Sequence, residues 1–339
     1  MRRHPTMHDV AAAAGVSLKT VSRVVNGEPG VTAPLIERVR AAVDRLGYQP
    51  DDRARHLRSG ENTTRTIGYI QNDVANPFFS SIYRGLENEA RDRGFLVLAG
   101  SSDADPEREQ ALVAALIARR VDGLAVVSTD QAPTLIRAEM SRGTPFVFID
   151  LLPAGIDADV VLTDHIAGAH AATNHLIQYG HRRIGFLGDD LSFGSALERA
   201  HGYRAALLDA GLTPETSLMR SGIRSPQAAY AAARAMLTAA DAPTAVFTAQ
   251  NFISIGAVRA VHELNLHRRV AQVGFDDVEL ADLIEPGLTV VPQDPRLIGQ
   301  LAGQRLFARL AGETTLPQVV RLPTILIERG SGEIRPPSG

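Results

Sequence analysis

The 339-residue chain has no cysteine, which excludes a disulfide framework, a thiolate metal site and a cysteine nucleophile. It also has no apolar run long enough to span a bilayer. The longest uncharged stretch, residues 242–258, is broken by Pro243, Gln250 and Asn251. Basic residues precede Val10 and the four alanines after it. That run is short, weakly apolar and soon interrupted by Lys19 and Arg23, so it does not read as a signal peptide. A soluble, cytoplasmic protein is expected. Also missing are a Gly-x-Ser-x-Gly elbow, a P-loop, a Gly-x-Gly-x-x-Gly turn after a strand and a paired-histidine metal motif. No enzyme activity, cofactor or metal is therefore expected. There is no short-period repeat, low-complexity tract or leucine heptad either. Lysine occurs once, as Lys19.

What is present begins at the N-terminus. Thr6 can cap a first helix, with Asp9 placed to complement its positive end. Val10, Ala11 and Ala14 form a small apolar stripe. Gly15 suits a tight turn, and Ser17 can cap a second helix. On that helix Val21, Val24 and Val25 face inward, while Leu18, Lys19, Ser22 and Arg23 point outward. This is the build of a helix-turn-helix, whose second helix fits a DNA major groove. A small alanine-rich bundle with solvated charges is the plainer reading of the same pattern. A third helix follows from Thr32 to Leu46, with Ile36, Val39, Val43 and Leu46 at helical spacing and Gly47 at its end. Residues 51–60 are too short and polar to form a stable helix alone. Charge is divided accordingly: residues 1–65 carry 11 Lys and Arg against 7 Asp and Glu, and the remainder 24 against 31. A basic head on an acidic body fits a protein whose head alone meets phosphate.

From Thr66 onward short apolar runs alternate with helical patterns. Strands are expected at 67–70, 96–98, 123–127, 145–149, 184–187, 245–248 and 270–275, with helices near 80–93 and 107–119. Continuous apolar strands separated by helices indicate parallel sheets covered on both faces, and the length calls for two doubly wound lobes. Ligands of such sheets sit beyond the carboxyl ends of the strands. Asp73, Asp150, Asp276, Arg199, Gln250 and Asn251 fall there, with Phe78 and Phe79 nearby. Carboxylates accepting from hydroxyls and arginine donating in a fork suit a polyol or sugar. Each strand-end aspartate can instead be a helix cap, and the phenylalanines can be core. Asp164 reads as a cap where the chain changes lobes.

The string Val16-Ser17-Leu18-Lys19-Thr20-Val21-Ser22-Arg23-Val24-Val25-Asn26, with Gly47-Tyr48-Gln49-Pro50 and Ala54-Arg55-His56-Leu57, resembles the lactose-repressor (LacI/GalR) family of transcription regulators. The similarity runs to about residue 330. It implies an all-α helix-turn-helix domain (1–49), a hinge (50–65) and an α/β body (66–330) of the periplasmic-binding-protein type. Lobe 1 would comprise about 66–162 and 293–323, and lobe 2 about 163–292 and 324–330, so that the chain crosses three times. The tail 331–339, with its glycines and prolines, is expected to be disordered. By resemblance Leu18, Lys19 and Arg23 read bases, and Thr6, Ser17, Thr20 and Ser22 hold phosphates. Ala54 and Leu57 enter the minor groove, with Arg55 helping to neutralise phosphates. A homodimer on a palindromic operator is implied, without the heptads that make tetramers. A sugar, sugar phosphate or sugar acid in the interlobe cleft would control it, probing Arg199 and Asp276 above all. Arg224 stands where several relatives place an aromatic; it either faces the cleft, where it favours an anionic effector, or swings to solvent. The rival reading is a sugar-binding protein with no regulatory DNA role.

Overall fold

The computed structural model describes residues 5–49, 63–129, 134–151 and 154–337. The chain divides into two compact units between Thr64 and Arg65. In the first, three helices surround one small core: α1 (Met7–Ala14), α2 (Leu18–Val25) and α3 (Ala33–Leu46). Val10, Ala11, Ala14, Val21, Val39 and Ala42 are buried, and Val24 and Val25 pack against them. Thr6 caps α1 reciprocally with Asp9, and Gly15 turns the chain at φ 62°. Arg38 of α3 donates to the carbonyls of Ala14 (2.6 Å) and Gly15 (3.3 Å), satisfying the end of α1. That arginine fastens α3 to the end of α1.

The second unit contains two parallel sheets. The first includes β1 (Thr66–Gln71), β2 (Leu96–Ser101), β3 (Gly123–Val127), β4 (Phe146–Ile149), β5 (Asp159–Thr163) and β11 (Val319–Leu322), ordered β11-β5-β4-β3-β1-β2. Its helices are α4 (Pro77–Asp92), α5 (Pro106–Ala118), α6 (Thr134–Ser141) and α11 (Pro295–Leu310). The second sheet includes β6 (Ile184–Leu187), β7 (Met219–Arg220), β8 (Ala245–Thr248), β9 (Ala271–Phe275) and β10 (Thr289–Val291), ordered β10-β9-β8-β6-β7. Its helices are α7 (His165–Gln178), α8 (Gly194–Asp209), α9 (Pro226–Leu237) and α10 (Asn251–Glu263). Strands β3, β4, β5, β6, β8 and β9 are buried along their whole length, so their sequences are mostly apolar rather than alternating, with Asp159, Thr163, Thr248 and Gln272 as buried polar exceptions. Helices α4 and α11 approach so closely that a Cβ added at Gly299 would lie 1.9 Å from the Ile82 carbonyl oxygen. Only glycine permits that contact.

Two expectations for the C-terminus need correction. Residues 324–330 form no continuous strand. Ile327 exchanges both backbone bonds with Val290 (3.0 and 2.8 Å), and the chain then turns at Gly330, where φ is 111°. Nor is the described part of the tail loose. Gln272 N–H donates to the Ser331 carbonyl (3.0 Å), and the Ser331 hydroxyl donates to the Gln272 carbonyl (2.6 Å). The Glu333 carboxylate accepts from Thr289 Oγ1 (2.9 Å) and Gly330 N–H, and His175 Nε2 lies 2.5 Å away. His181 Nε2 meets the Ile334 carbonyl at 2.7 Å. Buried polar groups of the second sheet need partners, and the tail supplies them despite its glycines and prolines. Residues 338–339 lie outside the described residues.

Candidate functional site

In the first unit, Ser17 starts α2 by accepting from Thr20 N–H (3.2 Å), and the two hydroxyls lie 2.9 Å apart. Thr6 donates to Asp9 (2.7 Å), and Ser22 accepts from Asn26 (3.2 Å). The hydroxyls assigned to phosphates thus also fix the helix ends. Leu18 and Lys19 are exposed, and Arg23 is half-buried. Their spacing puts Lys19 and Arg23 one turn apart, with Leu18 beside Lys19 at the start of the helix. The Arg23 guanidinium lies 3.9 Å from Glu28, both in contact with water, so water and salt screen that pair. The arrangement offers two cations and an apolar tip to a groove. Ala54, Arg55 and Leu57 lie outside the described residues.

In the second unit, strand ends from both sheets line one cavity of about 370 Å³, toward the small end of ligand pockets (~300–1,000 Å³). Asp73, Phe78, Phe79, Asp150, Arg199, Arg224, Gln250 and Asp276 all border it. Asp150 and Asp276 are counterparts in the two sheets. Each ends its strand at φ 68°, and each backbone N–H donates over 2.9 Å to the neighbouring strand, at Val161 and Val291. Aspartate tolerates that left-handed conformation better than most residues.

Arg199, 6 % exposed, projects from the first turns of α8. Its Nε donates to the Ser195 carbonyl (3.1 Å) and Nη1 to the Ala249 carbonyl (2.5 Å), and it lies 4.8 Å over the Phe275 ring. Two bonds and a ring thus fix the guanidinium beside the cavity. Burial pushes the Asp150 carboxyl up, but His165, 2.9 Å away, with Arg199 and Ser195, outweighs it and holds it at about 2. Asp276 moves the other way: burial raises it, against Arg199, Gln293 (2.6 Å) and the Asn251 N–H (3.2 Å). The site therefore offers a firmly ionised acceptor, a second carboxyl more readily protonated and a fixed donor fork.

Asn251 does not line the cavity. Its amide meets that of Asn76 at 2.7 and 3.3 Å, tying the second sheet's lobe to the first. As the first residue of α10, it is turned toward that partner, while Gln250 before it faces the cavity. Asp73 accepts from Ala75 N–H (2.8 Å) in a local turn, and Asp164 caps α7 through Ala167 N–H (3.0 Å). The sequence reading missed Asp189, Phe193, Phe252 and Gln293, among others. Asp189 and Gln293 follow β6 and β10, so the strand-end rule that found Asp150 reaches them too. Arg224 faces the cavity. Among the described residues, no group of three or more His, Asp or Glu side chains is placed to hold a metal ion. Likewise no helix among them is long and apolar enough to cross a membrane.

A helical DNA reader and a two-lobed body with a polar cleft define a class, the DNA-binding regulators that answer to a small molecule. Residues 6–51 match the family model for bacterial regulatory proteins of the lacI family, and residues 173–332 match a periplasmic binding protein-like domain. The ribose operon repressor of Escherichia coli K12 is 34% identical over 329 residues, covering 96% of this chain and 99% of that protein. A structure of the Lac repressor dimer bound to operator and an anti-inducer has a TM-score of 0.83 at 29% identity, covering 97% and 99%. A complex of the transcriptional regulator CelR with cellobiose has a TM-score of 0.72 at 32% identity, covering 96% and 99%. The chain belongs to the lacI family of bacterial regulatory proteins. It is a DNA-binding transcription regulator under small-molecule control.

Proposed function

We propose that the protein represses transcription by binding a palindromic operator as a homodimer, and that a neutral sugar of about monosaccharide size in the interlobe cleft sets its DNA affinity. The arrangement of Arg199 with Asp150 and Asp276 carries this reading. A sugar hydroxyl both donates and accepts, so carboxylates and an anchored guanidinium can grip a polyol from two sides. Five aspartates line the cavity (Asp73, Asp103, Asp150, Asp189 and Asp276) against two arginines. That surplus disfavours a sugar phosphate or sugar acid. Arg224 keeps its charge while it donates to a backbone carbonyl, and with it counted the carboxyl groups still outnumber the cations. Phe78, Phe79, Phe193 and Phe252 supply apolar surface for the faces of a sugar ring.

At the DNA, Leu18, Lys19 and Arg23 read bases, with Arg23 bidentate to a guanine. Thr6, Ser17, Thr20 and Ser22 hold phosphates, Ala54 and Leu57 act at the minor groove, and Arg55 helps to neutralise phosphates. The lobe boundaries proposed are those near 163, 293 and 324. The effector changes operator affinity only by its differential affinity for two arrangements of the lobes, and it is bound in the cytoplasm without being turned over. Relatives whose names refer to ribose and whose structures carry cellobiose support a sugar. A thermal-shift screen of neutral pentoses and hexoses against their phosphates and acids tests this. A ligand at ~100 times its dissociation constant adds about 2.7 kcal/mol. Stabilisation by neutral sugars alone is expected, and stabilisation by anionic derivatives alone would refute the neutral-effector reading.

A further inference from the structure

From the side chain of Arg224 we infer a latch that joins the two lobes across the mouth of the cleft. Arg224 lies in the second lobe between β7 and α9. Its Nη2 donates over 2.9 Å to the carbonyl of Asp103, which lies in the first lobe between β2 and α5. The guanidinium also stands 5.4 Å over the Phe193 ring. Bond and ring together fix its direction.

Both halves of the latch are built rigidly. On the acceptor side, Asp103 and Ala104 occupy the left-handed region in succession, at φ 53° and 56°, a conformation disfavoured for residues with a Cβ. Three local contacts hold that turn. Arg108 pairs with the Asp103 carboxylate, Arg108 Nη2 reaches the Ser101 carbonyl (3.4 Å), and Ala104 N–H donates to Ser102 Oγ (3.3 Å). The turn so held presents the Asp103 carbonyl to the facing lobe. On the donor side, Ile223 is buried and its N–H donates to the Gly188 carbonyl (3.1 Å), while Ser225 caps α9 through Ala228 N–H (3.2 Å). The neighbours of Arg224 are thus anchored, and its own side chain alone spans the gap.

Other contacts also join the lobes: Asn76 with Asn251 and Asp150 with His165 deep in the cleft, and Arg321 with Glu198 at 3.9 Å in a partly exposed pair. Asn251 and His165 are buried, whereas Arg224 is exposed at the rim. The rim contact therefore opens before the two buried ties and controls passage into the cleft. A phenylalanine at this position could cover a ligand but could not donate to a carbonyl of the other lobe. Arginine thereby makes closure a property of the protein's own contacts. The consequence for an effector rests on the cleft being its site, but the latch itself does not.

The absence of cysteine makes a direct test simple. Cysteines placed at exposed Glu107 of α5 and Gln227 of α9 carry spin labels, and pulsed dipolar spectroscopy reads the distance between lobes with no effector present. The parent should give a dominant short-distance population. Arg224→Ala should lower its ratio to longer distances by ~5-fold, the loss of one hydrogen bond from a charged donor in partial contact with water. Arg224→Lys keeps the charge and a donor but not the planar stack, and should fall between. Phe193→Leu, which removes only the ring, should also loosen the population. Unchanged distances in correctly folded Arg224→Ala and Phe193→Leu would overturn the latch. If a neutral sugar binds in the screen above, its dissociation from Arg224→Ala should be faster by a similar factor. Should no sugar bind, the distance measurement still decides.

Discussion

Asparagine in place of Asp159 removes the charge at the centre of a buried ion cluster in the first lobe. The Asp159 carboxylate accepts from Arg309 Nε (2.6 Å) and Nη2 (3.2 Å), from Arg305 Nη2 (3.2 Å) and from Gln318 N–H (2.8 Å). It therefore joins β5 to α11 and to the segment leading into β11. Removing one partner of a buried pair costs ~3–5 kcal/mol. Both arginines keep some access to water, at 15 and 16 % side-chain exposure, and asparagine still accepts from Gln318. The lower end, about 3 kcal/mol, is therefore expected, or roughly 6–10 °C in Tm for a body of this size. The pH dependence has a definite sign. Burial pushes the Asp159 carboxyl up, but Arg309, Gln318 and Arg305 outweigh it and leave it below the ordinary carboxylate range. A depressed folded value means that the stabilisation is complete above the unfolded value and is lost as pH falls through the folded one. The stability gap between parent and Asp159→Asn, measured by urea unfolding, should be constant near neutrality and shrink below pH ~4. A gap under about 0.5 kcal/mol, or one that persists undiminished in acid, would refute the reasoning.

Three further outcomes can be checked. Arg23→Ala should weaken operator binding by ~1–3 kcal/mol and relax the preference at one base pair, read by fluorescence anisotropy, with the body's melting unchanged. Gly299→Ala places a methyl against the backbone of α4 and should cost ~1–3 kcal/mol by forcing the two helices apart, visible in chemical unfolding. Deleting the residues after Arg329 strips partners from Gln272, Thr289 and His181 and should cost at least ~2 kcal/mol, read in calorimetry; unaltered melting would mean that the tail's bonds are dispensable.

Much of this fold is legible in the sequence, for a physical reason. Strands such as Ile184–Leu187 and Ala245–Thr248 are buried on both faces, so composition alone marks them. Strand β7, two residues long, and β10, three, are too short to leave a pattern. Strand β11 alternates exposed and half-buried positions at a sheet edge and shows no continuous apolar run. In the cleft, Asp150 and Asp276 could be found because strand ends of parallel sheets gather ligands. The turn of Asn251 toward Asn76 could not, since it depends on two lobes bringing together residues 175 positions apart. The order of the tail is not legible in the sequence either, because glycine and proline count against order only when no buried group needs the backbone between them.

Operator affinity measured with and without sugar, in the parent and in Arg199→Ala, tests the central claim most directly. Anisotropy on a palindromic duplex selected by the protein itself, at fixed salt, supplies the numbers. The account predicts that a neutral sugar shifts the parent's Kd for DNA by ~5-fold or more. It predicts that Arg199→Ala binds the duplex as the parent does but no longer responds to the sugar. A response that survives the loss of Arg199, or no response of the parent to any neutral sugar, would contradict it.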